Sequence, residues 1–140
     1  MDTAYTAFTK ESFAAFRAND RPGPIHMLNL IRLRKQAAYA DGRTATGDEA
    51  YAAYGRESEP IFQRVGGRIA WRGGLEQVLI GDPAEAWDIS FIAEYPSPAA
   101  FAEMLRDPVY RAAMEHRQAA VENSRLLRFG LLANGASFYA

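Results

Sequence analysis

The 140-residue sequence contains no cysteine, which excludes disulfide frameworks and thiolate metal sites. It carries almost no net charge, with 16 basic against 17 acidic residues. The clustered positive excess of a general nucleic-acid binder is therefore missing, and no nucleic-acid partner is expected. Long apolar runs are missing too; a membrane-spanning helix needs about 20 such residues, so no membrane association is expected. The opening Met1-Asp2-Thr3-Ala4-Tyr5 lacks a basic stretch followed by an apolar one, so no signal peptide is read and a cytoplasmic location is expected. Lysine is scarce. Only Lys10 and Lys35 are lysines, leaving 14 arginines. Arginine suits fixed bidentate contacts with carboxylates or phosphates, although GC-rich coding produces the same bias without any function.

What is present is one domain's worth of chain, 49% apolar and 12% aromatic, able to bury roughly two thirds of its unfolded surface. Residues 1–24 read as a helical extension. Thr9 can cap a helix to about Ala18, with Phe8 and Phe13 at the two positions of a hydrophobic staple, and Asn19 to Pro24 breaks it. The domain proper is read over 25–132, with a tail at 133–140 whose Phe138 and Tyr139 are expected to dock.

His26 to Leu33 reads as a strand apolar on both alternations, hence covered on both faces. Asn29 stands out among Met27, Ile31 and Leu33, because a buried amide must find hydrogen-bond partners. Lys35 to Asp48 is a long polar connection, of the kind that forms lids and binding loops or is simply disordered. A helix is predicted from about Glu49 to Val65 with Asp48 as N-cap. Tyr51, Tyr54, Ser58, Ile61, Phe62 and Val65 form its buried stripe, and Pro60 is expected to kink or divide it. Arg68 to Arg72 and Leu75 to Ile80 read as strands joined by a tight hairpin at Gly73-Gly74.

The clearest strand is Trp87 to Tyr95. Trp87, Ile89, Phe91, Ala93 and Tyr95 share one face; Asp88, Ser90, Ile92 and Glu94 share the other. Ser97-Pro98 and Asp107-Pro108 open two helices, to about Leu105 and Asn123, and a last strand is read over Arg125 to Leu132. The core order is strand, helix, strand, strand, helix, strand: a ferredoxin-like βαββαβ α+β fold, with an antiparallel sheet and its helices on one face. Its other face needs a cover, and a second copy of the chain is the simplest one.

Four motifs in order carry a family resemblance. Gly47-Asp48-Glu49-Ala50-Tyr51-Ala52-Ala53-Tyr54, Gly66-Gly67-Arg68, Glu94-Tyr95-Pro96-Ser97, and Asp107-Pro108-Val109-Tyr110 with Arg117-Gln118-Ala119-Ala120 together resemble the family called domain of unknown function 1330. The likeness runs from about His26 to Phe129. It implies a homodimeric α+β barrel. It implies no settled activity, since related barrels include cofactor-independent monooxygenases, muconolactone-type isomerases and haem-handling proteins.

Arg117 is the lone charge on the stripe Tyr110, Ala113, Met114, Arg117, Val121. It either snorkels to water, pairs with Glu94 or Asp88, or holds a bound anion. Asp88, Ser90 and Glu94, with Arg68 and Arg72 on one alternation of a neighbouring strand, can form an acid-binding cleft or plain cross-strand ion pairs. Asn29 and Trp71, with Tyr51 and Tyr54, can hold a phenol or quinone, although Tyr51 and Tyr54 also fit an ordinary core stripe. His116 reads as exposed; His26 reads as a strand-end residue, with a catalytic base or haem ligand as the alternative.

No Walker loop, Rossmann fingerprint or nucleophile elbow occurs, so no cofactor and no metal is expected. The sequence thus reads as a homodimer binding a small anionic or aromatic metabolite. As a cofactor-independent monooxygenase or isomerase it would use Asn29, Trp71 and Glu94 as catalytic groups, and Tyr54, Arg68, Arg72, Asp88 and Arg117 for binding. The alternative is a non-catalytic structural or ligand-sensing dimer.

Overall fold

The apolar residues of the first core strand set the architecture. In the computed structural model, which describes residues 3–140, β1 (Ile25–Leu33) lies inside an antiparallel sheet. Its neighbours are β3 (Ile89–Tyr95) on one side and β4 (Val121–Phe129) on the other, and β2 (Arg68–Gly73) forms the edge beyond β3. Chain order inserts α2 (Gly47–Arg64) between β1 and β2, and α3 (Pro98–Arg106) with α4 (Pro108–Ala120) between β3 and β4. This is the ferredoxin-like α+β arrangement, preceded by α1 (Lys10–Ala18).

Alternation assigns the two faces. Ile25, Met27, Ala93 and Tyr95 pack with Ile61 and Val65 of α2, Phe101 and Met104 of α3 and Tyr110 of α4. Each fully buried aliphatic side chain such as Ile25 contributes about 1.5–3 kcal/mol relative to exposure. A smaller cluster joins Ile31, Ala50, Ala120 and Val121. The opposite face carries His26, Leu28 and Leu30 of β1, paired with Glu94, Ile92 and Ser90 of β3. Among the described residues no element forms a second layer over its centre, and Trp71, Leu127 and Phe129 there are 51%, 45% and 51% exposed.

Several local expectations change. Thr46, not Asp48, caps α2. Its hydroxyl accepts from the Glu49 N–H at 3.0 Å while the Glu49 carboxylate accepts from the Thr46 N–H at 2.8 Å. That reciprocal box satisfies two end groups where a lone Asp48 cap satisfies one. Gly47 follows because a Cβ there would sit 1.9 Å from the Arg34 carbonyl oxygen. The helix runs through Pro60 as one element.

Residues 75–80 form no strand, and the hairpin partners are β2 and β3. Gly73 leaves room for the Trp71 ring, which a Cβ would approach to 2.5 Å; it is not half of a tight turn. Leu79 and Ile80 in the connection are 84% and 98% exposed.

The third strand starts two residues later than expected, because the Asp88 N–H donates to the Ile31 carbonyl and its carboxylate accepts from the Leu33 N–H at 2.8 Å. Trp87, outside the strand, lies under the guanidinium groups of Arg32 and Arg125. The last strand begins at Val121, directly after α4, so it starts and ends earlier than expected. In the tail, Phe138 and Tyr139 are fully exposed and are buried against none of the described residues, contrary to the expected docking.

The 35–48 connection is ordered. Ala37 N–H donates to Ala45 O and Ala38 N–H to Ala119 O. The Tyr39 hydroxyl meets His116 Nδ1 at 2.6 Å, and His116 Nε2 meets Glu57 at 3.0 Å. His116 is therefore half-buried in a bridge instead of lying exposed.

Candidate functional site

The helix-covered side of the sheet does not close completely. A cavity of about 610 Å³ lies between Met27, Asn29, Phe91 and Leu126 of the sheet and Tyr110 and Arg117 of α4. Its volume is that of a small-molecule site. Residues Tyr5–Phe8 and α1 form the remaining wall.

The N-terminal segment reaches this position through its capping chemistry and its aromatic rings. Thr9 and Ser12 form a reciprocal cap. Phe8 contacts Phe13 at a ring separation of 5.7 Å, as the staple predicts, and Phe16 stands edge-on to Phe101 at 5.3 Å. Polar anchors fix the strap before α1. Tyr5 N–H donates to Asn123 Oδ1 at 2.9 Å, and the Ser124 hydroxyl donates to the Tyr5 carbonyl at 2.7 Å.

Polar groups in the cavity are few. Arg117 Nη1 donates to the Thr6 carbonyl at 2.9 Å. Tyr54 and Tyr110 share a hydroxyl–hydroxyl bond of 2.7 Å. Burial pushes both phenols up from the ordinary 10, and the Arg117 charge partly opposes that rise in each. Asn29 is half-buried, and its amide donates to the Met27 carbonyl at 3.1 Å. Arg128 Nη1 donates to the Asn19 carbonyl at 2.7 Å, while its guanidinium lies 5.1 Å from the Phe16 ring centre. Its Nη2 is buried and has no hydrogen-bond partner.

The structure brings Asn29, Tyr54 and Arg117 to this one cavity. The other sequence-derived candidates lie elsewhere. A β-bulge between Ile69 and Trp71 shifts the register of β2, so Arg68 pairs with Glu94, Trp71 with Ile92 and Arg72 with Phe91. Arg68 and Trp71 therefore occupy the open face and Arg72 the helix side, which separates two arginines expected to look the same way. Trp71 is also separated from Asn29, whose register partner is Phe91. Tyr51 contacts the Tyr54 ring at 5.3 Å and packs on the smaller core cluster.

Glu94 and Asp88 are not partners of Arg117. Glu94 accepts from Arg68 at 2.9 and 3.0 Å and meets His26 Nε2 at 2.9 Å. The Arg68 bonds, against some burial and with help from His26, hold the Glu94 carboxyl below its ordinary value. Asp88 is engaged by the Leu33 backbone, and the Ser90 hydroxyl donates to the Gly73 carbonyl.

Sequence reasoning missed Tyr110 and Arg128. Tyr110 was visible on the Arg117 stripe. Arg128 lay within the expected last strand, but its pattern did not show which face Arg128 takes, and the register of β4 on β1 sets it opposite Met27. Among the described residues no cluster of three metal-ligating side chains occurs, and no helix is long and apolar enough to cross a membrane.

The model of the family described as Domain of unknown function (DUF1330) matches residues 37–130. No curated protein matches the chain significantly. Among solved structures, the methylated RPA0582 protein is 63% identical, with a TM-score of 0.94 over 96% of this chain and 99% of that one. A second structure of RPA0582, a protein of unknown function from Rhodopseudomonas palustris, is also 63% identical, with a TM-score of 0.92 over 94% and 100%. SnoaB, a cofactor-independent oxygenase from Streptomyces nogalater, shares the fold at 14% identity and a TM-score of 0.53, over 82% of this chain and 99% of its own.

Proposed function

The chain belongs to the DUF1330 family, and from that premise, which carries no chemistry of its own, we propose that it binds a small organic acid with an aromatic or apolar body between sheet and helices. One observation carries the reading: Arg117 lines the cavity and, among the described residues, is ion-paired with no carboxylate. A guanidinium cannot lose its charge, so a half-buried one favours an anion. Phe16, Phe91, Phe101 and Tyr95 supply flat apolar walls. The occupant is then an acid group held by Arg117 with its body against those rings.

The same proposal includes a homodimer. The open sheet face exposes Trp71, Leu127 and Phe129 around the His26–Glu94–Arg68 cluster. A second sheet laid on it would cover those apolar groups and bring two such clusters together. In that arrangement Trp71, Glu94, Arg68 and Asp88 belong to the dimer side of the sheet, and Arg72 lies at its edge.

A reaction is a second reading, favoured by the Tyr54–Tyr110 pair. Whichever hydroxyl accepts within the pair keeps its own proton to donate, which with the Asn29 amide suits a developing oxyanion. That would serve cofactor-independent oxygenation or isomerisation, and SnoaB is a cofactor-independent oxygenase on this fold. Native mass spectrometry of the protein purified from its own source tests the binding proposal. A dimer retaining a small acid supports it, provided Arg117→Gln loses the adduct; an unchanged adduct in that variant contradicts the Arg117 role.

A further inference from the structure

Of the arginines that line the cavity, Arg117 and Arg128 have no carboxylate partner among the described residues, and they stand at opposite ends of it. Arg117 is tied to Thr6, beside Tyr5, which Ser124 anchors. Arg128 is tied to Asn19 at the far end of α1. Ser124 and Arg128 share the helix-side alternation of β4, and four strand residues span roughly 13 Å. The nine residues of α1 cover about the same length. The N-terminal segment therefore runs along the cavity from one arginine to the other, presenting a backbone carbonyl to each.

A carbonyl engages one donor and leaves the charge unbalanced. Arg128 is the more exposed to that imbalance. Its Nη2 is buried without a partner, and no ion pair joins it to any carboxylate among the described residues. Burial first and the Arg21 charge second press its guanidinium down from its usual value. Between the two arginines lie Leu126, Met27 and the aromatic walls, with the Asn29 amide beside Leu126, and none of these carries a charge.

We infer that the cavity selects a dianion: a rigid, flat molecule with an acidic group at each end, one held by Arg117 and the other by Arg128. This rests on the binding site proposed above and narrows its ligand class. Arginine at each pole accepts a carboxylate in bidentate geometry, and a flat spacer suits the rings of Phe16, Phe91 and Phe101. A monoacid can satisfy either pole but not both. A diacid with adjacent acid groups carries the same charge with the wrong spacing.

Isothermal titration of the full chain with terephthalate, phthalate and benzoate tests the inference. Terephthalate is expected to bind at least tenfold more tightly than either of the others. Arg117→Gln and Arg128→Gln should each bring terephthalate down to the level of benzoate. Equal binding of terephthalate and benzoate overturns the dianion while leaving the acid site standing. Equal binding of phthalate and terephthalate also overturns it, because net charge would then suffice. Binding of none of the three overturns both proposals. The ranking of the three acids is read on the unmodified protein, so it decides the matter even if a variant unfolds.

Discussion

Arg117 and Thr6 lie 111 positions apart, yet Arg117 Nη1 donates to the Thr6 carbonyl at 2.9 Å, and both line the cavity. The contact makes the N-terminal strap part of the site, because the same arginine that faces the cavity also holds its cover.

The strap should loosen when another of its anchors is removed. Ser124→Ala deletes the hydroxyl that donates to the Tyr5 carbonyl, a loss of about 1 kcal/mol. Hydrogen exchange read by mass spectrometry should then speed up about fivefold over residues 5–8, with β1 unaffected. Unchanged exchange there would mean that the Asn123 and Arg117 bonds and the aromatic contacts hold the strap without Ser124.

Removing one hydroxyl of the Tyr54–Tyr110 pair strands the other in a buried site. Tyr110→Phe should cost about 1–2 kcal/mol in urea unfolding, whereas removing both hydroxyls should cost less than twice that, since no polar group is then left unpaired.

The Glu94 carboxyl is held below its ordinary 4.5 by the Arg68 bonds, with burial opposing them and His26 adding to them. A depressed folded-state value means that stability is present above the unfolded value and is lost as pH falls through the folded one. Thermal stability of the unmodified protein should therefore fall below about pH 4.5. Glu94→Gln should lose stability at pH 7 and show a flatter profile on the acid side. Parallel profiles would remove Glu94 from the account of acid sensitivity.

Much of this fold was legible in short-range patterns. The Thr9 cap with its Phe8–Phe13 staple, the Asp107-Pro108 break and the alternation from Ile89 to Tyr95 each depend on neighbours a few residues apart. What escaped depends on longer reach. The bulge between Ile69 and Trp71 inserts one residue, and every side chain beyond it changes face. No period in a six-residue strand reveals that. Residues 75–80 are apolar enough for a strand, but β3 itself pairs with β2. Asn29, Tyr54 and Arg117 were each visible as misfits or stripe members. Their shared cavity was not, because its outer wall comes from the first nineteen residues.

The open sheet face gives a prediction independent of any ligand. Leu127→Asp places a charge among Leu28, Trp71 and Phe129, where a second copy would have to desolvate it. Light scattering at micromolar concentration should show a dimer for the unmodified protein and a monomer for the variant. A monomeric unmodified protein would remove the dimer from the proposal.

The central claim is that the acid site lies on the helix-covered side of the sheet and the open side serves the second copy. A crystal structure of the full chain with bound benzoate tests it most directly. The account predicts the carboxylate within hydrogen-bonding distance of the Arg117 or Arg128 guanidinium, with the ring against Phe16, Phe91 or Phe101. Benzoate seated instead on Arg68 and His26, on the opposite face, would contradict it.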